Sequence, residues 1–106
     1  MPNKVNFTYF IQTVRQGDLE LVKEILSTEP DWVNKKTGHE QRTGLMYAIV
    51  CQKGEVAKLL LEHGAKWQEQ DIWGNDALSL ALLWGGGQRK AFVTLLQQHG
   101  AVFKNA

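Results

Sequence analysis

The sequence repeats itself, and this self-similarity constrains the fold more than any other feature. The segment Leu59-Leu60-Leu61-Glu62-His63-Gly64-Ala65 recurs as Leu95-Leu96-Gln97-Gln98-His99-Gly100-Ala101, at an offset of 36 residues. Upstream, Thr43-Gly44-Leu45-Met46-Tyr47-Ala48 matches Asp76-Ala77-Leu78-Ser79-Leu80-Ala81 at an offset of 33 residues. The three extra residues fall in Gly85-Gly86-Gly87, which predicts an insertion between two helices. A fixed period of this length is typical of stacked repeats that share one continuous core.

Each copy has the pattern of two short helices. Thr8, Thr43 and Asp76 precede apolar runs, so their side-chain oxygens are predicted to cap the first helices. Gly64 and Gly100 are predicted to end the second helices in the left-handed conformation. The second helices carry apolar residues at helical spacing: Leu19, Val22, Ile25 and Leu26; Val56, Leu59 and Leu60; Phe92, Val93, Leu95 and Leu96. The first copy, over residues 10–26, is degenerate and breaks at a glycine.

These motifs resemble the ankyrin repeat. The resemblance lies in the 33-residue period, the Thr-x-Leu-x-x-Ala start and the Leu-Leu-x-x-Gly-Ala end. Residues 71–78 match the family's Asp-x-x-Gly-x-Thr-Pro-Leu opening, with Asp76 and Ala77 in place of Thr and Pro. The middle copy departs further, with Gly44 for Pro, Met46 for His and Gln41 for the turn glycine. The resemblance implies one all-α domain over residues 1–106, a helix–turn–helix repeat solenoid of about three repeats, at about 6–34, 38–67 and 71–103.

Composition excludes several classes of partner. The 12 Lys and Arg residues nearly balance 11 Asp and Glu, a net charge of +1, whereas nucleic-acid binding requires a dense basic patch. The most apolar window, residues 77–84, is far shorter than a bilayer span, so no membrane partner is expected. Cys51 is the single cysteine and the first residues lack the apolar run of a signal peptide. Both features favour a reducing, cytoplasmic compartment.

The histidine, cysteine and acidic residues are not spaced along the sequence as in catalytic or metal-binding motifs. His63 and His99 occupy the same repeat position, where a histidine near a helix C-terminus interacts favourably with the helix dipole. The segment at 85–90 has the glycines and basic residues of a phosphate cradle, but not the spacing of a phosphate-binding loop. Cys51 has no neighbouring base in the sequence, and the acids are scattered over helix surfaces. No metal site, cofactor or enzymatic activity is expected.

Tryptophan placement points to a binding surface. The resemblance implies that Ile72, Trp73 and Asn75 lie on the projecting turn of the third repeat, with Leu83 and Trp84 at the end of its first helix. In the family these positions line the concave, solvent-facing side, and four of these five residues are large and apolar. Exposed Trp, Ile and Leu are typical of a binding hot spot.

The equivalent positions of the middle copy add a polar flank suited to orientation and specificity, formed by His39, Glu40, Arg42, Val50 and Cys51. A structural alternative for the two tryptophans is that Trp84 folds under the glycine loop and Trp73 packs on its neighbour. Trp67 and Phe103, which occupy matching positions after Gly-Ala, are predicted to pack beneath the loop that follows.

Together these features predict a non-catalytic protein–protein interaction module that docks a partner on its concave face. A chain that is nearly all repeat fits a stand-alone inhibitor or neutralising partner of another protein. One alternative is a homo-oligomeric structural or adaptor protein, in which the Trp-rich patch or the last repeat pairs two copies as a homodimer. Another is a small-ligand binder or enzyme, which would require a deep polar pocket holding Cys51 and a base.

Overall fold

The computed structural model describes residues 5–103, and within that range it contains α-helices and 3-10 turns but no strand. The helices pair along the chain into three repeats, which confirms the all-α, helix–turn–helix fold class. The two 3-10 turns are Pro30–Asn34 and Gly86–Gln88. The helices are α1 (Phe7–Gln16), α2 (Leu19–Thr28), α3 (Gly44–Val50), α4 (Gly54–Glu62), α5 (Ala77–Trp84) and α6 (Arg89–Gln98).

Polar side chains start all three first helices. Thr43 and Asp76 cap α3 and α5 as predicted, each accepting a hydrogen bond from the amide three residues further on. The prediction for α1 was wrong, because Asn6 is its cap and Thr8 lies inside the helix. Asn is at least as good a cap as Thr, and the earlier start brings Phe7 into the helix. There its ring meets the edge of Trp32, with 5.9 Å between ring centroids.

The helices stack in two layers around one core. The first helices α1, α3 and α5 pack side by side, and the second helices α2, α4 and α6 form the other layer. α3 lies at the centre, and its residues 44–49 are all buried. The largest fully buried side chains come from every repeat and include Phe10, Ile49, Leu60, Leu80 and Phe92. Each repeat therefore buries its apolar surface against its neighbours.

The glycine triplet forms the junction between α5 and α6, where the sequence predicts an insertion between two helices. Gly85 is buried, and its amide donates to the carbonyl oxygen of Ala81 at 3.0 Å, which closes the last turn of α5. A Cβ atom on Gly85 would overlap that oxygen and lie 2.8 Å from Cα of Arg89. By contrast, a Cβ atom on Gly87 meets nothing within 4 Å. The extra residues therefore let α6 approach the end of α5 closely.

Two glutamine side chains join the second and third repeats beside this triplet. Nε2 of Gln88 donates to the carbonyl oxygen of Gln52 at 2.7 Å, and Nε2 of Gln52 donates to that of Trp84 at 3.4 Å. Gln52 has φ +59°, a left-handed conformation that is costly for a residue with a Cβ atom. These hydrogen bonds offset that strain. Gln41, with φ +55°, stands where the third repeat has Gly74 at φ +81°.

The aromatic residues at the repeat ends differ in environment. Trp32 and Trp67 are half-buried, and the backbone oxygen of Trp67 accepts from the amide of Ala77 in the next repeat. Phe103 is 49% exposed, so the prediction that it packs beneath a following loop is wrong.

We expect Leu60→Ala to lower the free energy of unfolding by about 2–5 kcal/mol, because it removes a fully buried side chain from the centre of the core. Urea denaturation followed by circular dichroism measures the loss. Leu83→Ala is the matched control, since the same atoms are removed from a side chain that is 62% exposed. Equal losses in the two variants would contradict the assigned core.

The glycine positions give a second matched pair. Gly85→Ala should lower the free energy of unfolding by about 1–3 kcal/mol, because its methyl group would overpack the junction of α5 and α6. Gly87→Ala should be neutral or slightly stabilising, since alanine reduces the entropy of the unfolded chain and has space here. Thermal unfolding compares the variants, and a Gly85→Ala protein as stable as the wild type would show that the junction is not tightly packed.

Candidate functional site

A buried carboxylate sets the conformation of the third repeat's projecting turn. Oδ1 of Asp71 accepts the amide hydrogens of Trp73, at 3.0 Å, and of Asn75, at 2.9 Å. The amide of Asp71 donates in turn to the carbonyl oxygen of Asn75 at 3.0 Å. Gly74, at the tip, adopts φ +81°, which glycine does without steric cost. The turn that carries Ile72 and Trp73 is therefore closed by its own backbone and one side chain.

The same carboxylate ties this turn to the second repeat. Oδ2 of Asp71 lies 3.2 Å from Nε of Arg42, and the side chains are 0% and 13% exposed, respectively. The amide of Ile72 also donates to the carbonyl oxygen of Glu40 at 3.0 Å. Loss of either partner of a charge pair this well shielded from water is costly, because it leaves the other charge buried without compensation. No buried side-chain nitrogen or oxygen atom within residues 5–103 lacks a partner.

Arg42 also organises the aromatic side chains of the face. Its guanidinium carbon lies 5.3 Å from the ring centroid of Trp73 and 5.8 Å from that of Tyr47. A planar guanidinium stacks well on aromatic rings, so it supports Trp73 from one side. The other surface of Trp73 remains available, since the residue is 59% exposed. This arrangement combines an orienting contact with a large free apolar area.

Tyr47 and Glu40 complete the cluster. The hydroxyl of Tyr47 donates to Oε1 of Glu40 at 2.6 Å, and the same oxygen lies 3.7 Å from Nη1 of Arg42. Burial raises the pKa of Tyr47 above its usual range, and the hydrogen bond to Glu40 raises it further. The tyrosine therefore stays a neutral donor at physiological pH, and Glu40 is held in place by two partners.

The third-repeat residues predicted for binding are mostly exposed, but they form two separate spots. Ile72 and Trp73 lie on the turn before α5, whereas Leu83 and Trp84 lie at its C-terminal end. An eight-residue helix is about 12 Å long, so the two spots sit at opposite ends of α5. Trp84 is 56% exposed and does not fold under the glycines, while Asn75 is half-buried within the turn. A partner touching both spots would have to span α5.

Three of the residues predicted for binding in the middle repeat line two separate concavities. His39 is exposed and Glu40 half-buried, and both line a groove of about 460 Å³ together with Phe7, Ile11 and Tyr47. Cys51 is a half-buried free thiol in a more polar concavity with Gln12, Arg15 and Gln16. Val50 is half-buried at the end of α3. Glu40, Arg42 and Trp73 thus come together in one cluster, whereas Cys51 lies apart from it.

The sequence analysis did not predict a role in this site for three residues that hold it together. Asp71 was read only as a family motif position, and Tyr47 only as part of the repeat, although both hold the cluster together. Thr37 closes the middle turn, since its Oγ1 accepts the amide of Arg42 at 3.2 Å and its own amide donates to the Arg42 carbonyl oxygen at 2.9 Å. A Thr five residues before an Arg is not a sequence motif from which these hydrogen bonds could be predicted.

Residues 5–103 contain no group of three or more His, Cys, Asp or Glu side chains placed to hold a metal ion. None of the helices in that part of the chain is long and apolar enough to cross a membrane.

The fold and the site together define a helical repeat solenoid with projecting turns. Comparison with known proteins identifies the protein family. The family model for ankyrin repeats, three copies, matches residues 10–106. The chain therefore belongs to the ankyrin repeat family. Proteins of this family generally mediate protein–protein interactions and are typically non-catalytic.

Two relatives are longer chains, and this chain matches a part of each. A putative ankyrin repeat protein of Rickettsia bellii (strain RML369-C) is 32% identical over 82 residues, which cover 76% of this chain and 12% of the relative. The serine/threonine-protein kinase VIK of Arabidopsis thaliana is 32% identical over 87 residues, which cover 82% of this chain and 19% of the kinase. The chain thus matches less than a fifth of either relative.

Removing the buried carboxylate should loosen both turns. We expect Asp71→Ala to lower the free energy of unfolding by about 3 kcal/mol, because the amides of the turn lose their acceptor and Arg42 loses a shielded partner. Asp71→Asn is the control, since an amide oxygen can still accept both turn amides, and it should cost less. Chemical denaturation gives the two values, and a larger loss in Asp71→Asn would contradict this division of roles.

Proposed function

We propose that this chain binds another protein through its concave face, with Trp73 and Trp84 as the main anchors. The observation that carries the proposal is the exposure of these two tryptophans on elements that are otherwise tightly held. Trp73 stands on a turn closed by Asp71. Trp84 ends a helix in whose last turn the carbonyl oxygens of Ala81 and Trp84 accept hydrogen bonds. The ring surface that stays in water contributes little to the monomer, whereas burial against a partner would make it a hot spot.

Rigidity of the face supports the same proposal. A binding surface that is already ordered loses little conformational entropy when a partner docks, so more of the contact energy appears as affinity. The hydrogen bonds between the turns and the Arg42–Asp71 pair fix the spacing of Glu40, Arg42 and Trp73. The polar groups beside Trp73 would orient the partner, and the apolar surface would supply most of the affinity.

The mode of action we favour is stoichiometric occlusion, in which the chain acts as an inhibitor or neutralising partner. The ankyrin repeats cover residues 10–106, and the surface that they present is suited to binding. We place the protein in the cytoplasm, where a lone thiol such as Cys51 remains reduced. The alternative, a homo-oligomeric adaptor, would use a different surface at the end of the third repeat.

Alanine substitution of the anchors tests the proposal. A partner is first identified by affinity purification and mass spectrometry, then purified, and its affinity is measured by calorimetry. Trp73→Ala and Trp84→Ala should each raise the dissociation constant about 30-fold, corresponding to about 2 kcal/mol for a hot-spot tryptophan. Both side chains are largely exposed in the free chain, so the melting temperature should change little.

Tyr9→Ala is the matched control, because Tyr9 is an exposed aromatic residue on α1, away from the third repeat. Its affinity for the partner should equal that of the wild type. The proposal fails if both tryptophan variants bind as tightly as the wild type, or if Tyr9→Ala weakens binding equally.

A further inference from the structure

The first helices pack side by side, and their C-terminal ends form a row that crosses all three repeats. Offsets of 35 residues from α1 to α3 and of 33 residues from α3 to α5 give the equivalent positions. The left-handed residues Gly17 and Gln52, with φ +78° and +59°, are 35 positions apart and agree with the first offset. The residues of this helix-end row are Arg15 and Gln16, Val50 and Cys51, and Leu83 and Trp84.

The helix-end row changes from apolar to basic along its length. Leu83 and Trp84 at one end are 62% and 56% exposed, whereas Val50 and Cys51 in the middle are half-buried. The other end is a concavity of about 450 Å³, lined by Gln12, Arg15, Gln16 and Cys51. A segment that lies along the row would therefore meet a large apolar surface in the third repeat and a cation in the first.

Arg15 is held over the second repeat without forming an ion pair. Its guanidinium carbon lies 5.7 Å from the ring centroid of Tyr47 in α3, so this exposed side chain reaches along the stack and not away from it. The salt bridges within residues 5–103 involve other cations, namely Lys23, Lys36 and Arg42. A guanidinium that is placed on an aromatic ring and has no carboxylate partner is suited to binding one.

The carboxylates beside Arg15 in the sequence and across the Tyr47 ring have other partners. Glu40 accepts the hydroxyl of Tyr47 and lies 3.7 Å from Nη1 of Arg42. Asp18, three residues after Arg15, is the N-cap of α2 and accepts an amide of its first turn at 3.2 Å. The charge of Arg15 is therefore left for a group from outside the chain.

The remaining charges near the helix-end row do not reverse its sign. A Cβ atom built on Gly17 would lie 2.8 Å from Cδ of Lys53, so the Lys53 side chain passes beside the end of α1. Arg89 begins α6 five residues after Trp84 and adds a further exposed cation. Glu55 lines the groove between α4 and α6, in the layer of second helices. The row consequently favours an anionic partner over a cationic one.

We propose that the partner contacts this row through an acidic segment, with a carboxylate bound by Arg15 and a large apolar side chain beside Leu83 and Trp84. The inference rests on the proposed function, because it assigns the chemistry of the partner that Trp84 would anchor. Packed helices lie about 8–10 Å apart, so α1 and α5, on either side of α3, are about 16–20 Å apart. That distance corresponds to about five or six residues of an extended segment or about 11–13 residues of a helix.

A phage-displayed library of random 16-residue peptides is the probe. It is selected on the immobilised full chain and on its variants, and the bound pools are sequenced. The wild-type pool should be enriched in Asp or Glu and in aromatic or large aliphatic residues, at one of these two separations. Arg15→Glu should abolish the acidic enrichment and keep the apolar one, whereas Trp84→Ala should reduce the apolar enrichment and keep the acidic one.

Lys23→Glu is the matched control, because it makes the same change of charge on α2, in a side chain that lies 3.9 Å from Glu20. Its pool should resemble that of the wild type. A wild-type pool without acidic enrichment would overturn the proposal, as would an enrichment that persists in Arg15→Glu or is lost equally in Lys23→Glu. Loss of the acidic enrichment in Arg89→Glu but not in Arg15→Glu would also overturn it.

One peptide from the wild-type pool is then synthesised, and its dissociation constant is measured by calorimetry. Arg15→Gln should raise this constant about tenfold, as expected for loss of a hydrogen bond between charged groups. Added sodium chloride should weaken binding to the wild type more than binding to Arg15→Gln. Arg15 is exposed, so thermal unfolding should show that the variant remains folded.

The same measurement separates this inference from the proposed function. A peptide that requires Trp84 but binds Arg15→Gln as tightly as the wild type would overturn the inference and leave the proposed function standing. A peptide that requires Arg15 but neither Trp73 nor Trp84 would support binding of a carboxylate by Arg15 and contradict the tryptophan anchors of the proposed function.

Discussion

The burial of α3 on both sides is the constraint on which the rest of the structure depends. Its residues from Gly44 to Ile49 are all shielded from water, because α1 packs on one side and α5 on the other. A helix of seven residues is too short to be stable alone in water, so its order comes from these neighbours. The first and third repeats are stabilised in turn, because the central helix makes apolar contacts with both of them. Stability in such a stack is a property of the junctions.

Polar contacts then fix how the repeats sit on one another. On the turn side, Arg42 and Asp71 form a shielded pair. On the far side, the side chain of Gln88 donates to the carbonyl oxygen of Gln52, and that of Gln52 donates to the carbonyl oxygen of Trp84. Asn34 plays a similar role between the first and second repeats, since its amide group donates to Gly64 and accepts from Lys66. Apolar packing supplies most of the stabilisation, whereas these directional bonds set the register and hold the projecting turns in place.

The parts of the fold that depend on local chemistry could be predicted from the sequence. Thr43 and Asp76 cap their helices, and Gly64 and Gly100 adopt positive φ, because each requirement involves a few neighbouring residues. The period of the apolar residues placed Leu60 in the core for a similar reason. The start of α1 was wrong by two residues, since Phe7 joins the helix through its contact with Trp32, a residue 25 positions away.

The sequence predicted which residues belong to the candidate site but not how they are arranged in space. Repeat register put Trp73 and Trp84 on the solvent side, and both are exposed, but their separation at the two ends of α5 follows from three-dimensional geometry. The partnership of Arg42 with Asp71 joins residues that are 29 positions apart and exists only once the repeats stack. The tight packing of Gly85 could not be predicted from the sequence, because its close neighbour Arg89 is brought there by the return of the chain into α6.

The outward surface of the first repeat has a consequence for polymerisation. A head-to-tail contact between identical molecules closes into a ring or, where the rotation does not close, continues as a filament of indefinite length. Gln12 and Glu24 are exposed in the first repeat, whereas the matching Tyr47 and Leu59 of the second repeat are buried. The two polar side chains make this surface costly to dehydrate, which opposes such growth. Replacing them with apolar residues would create an adhesive surface, and the risk of such a change would be fibre formation even if each molecule became no less stable.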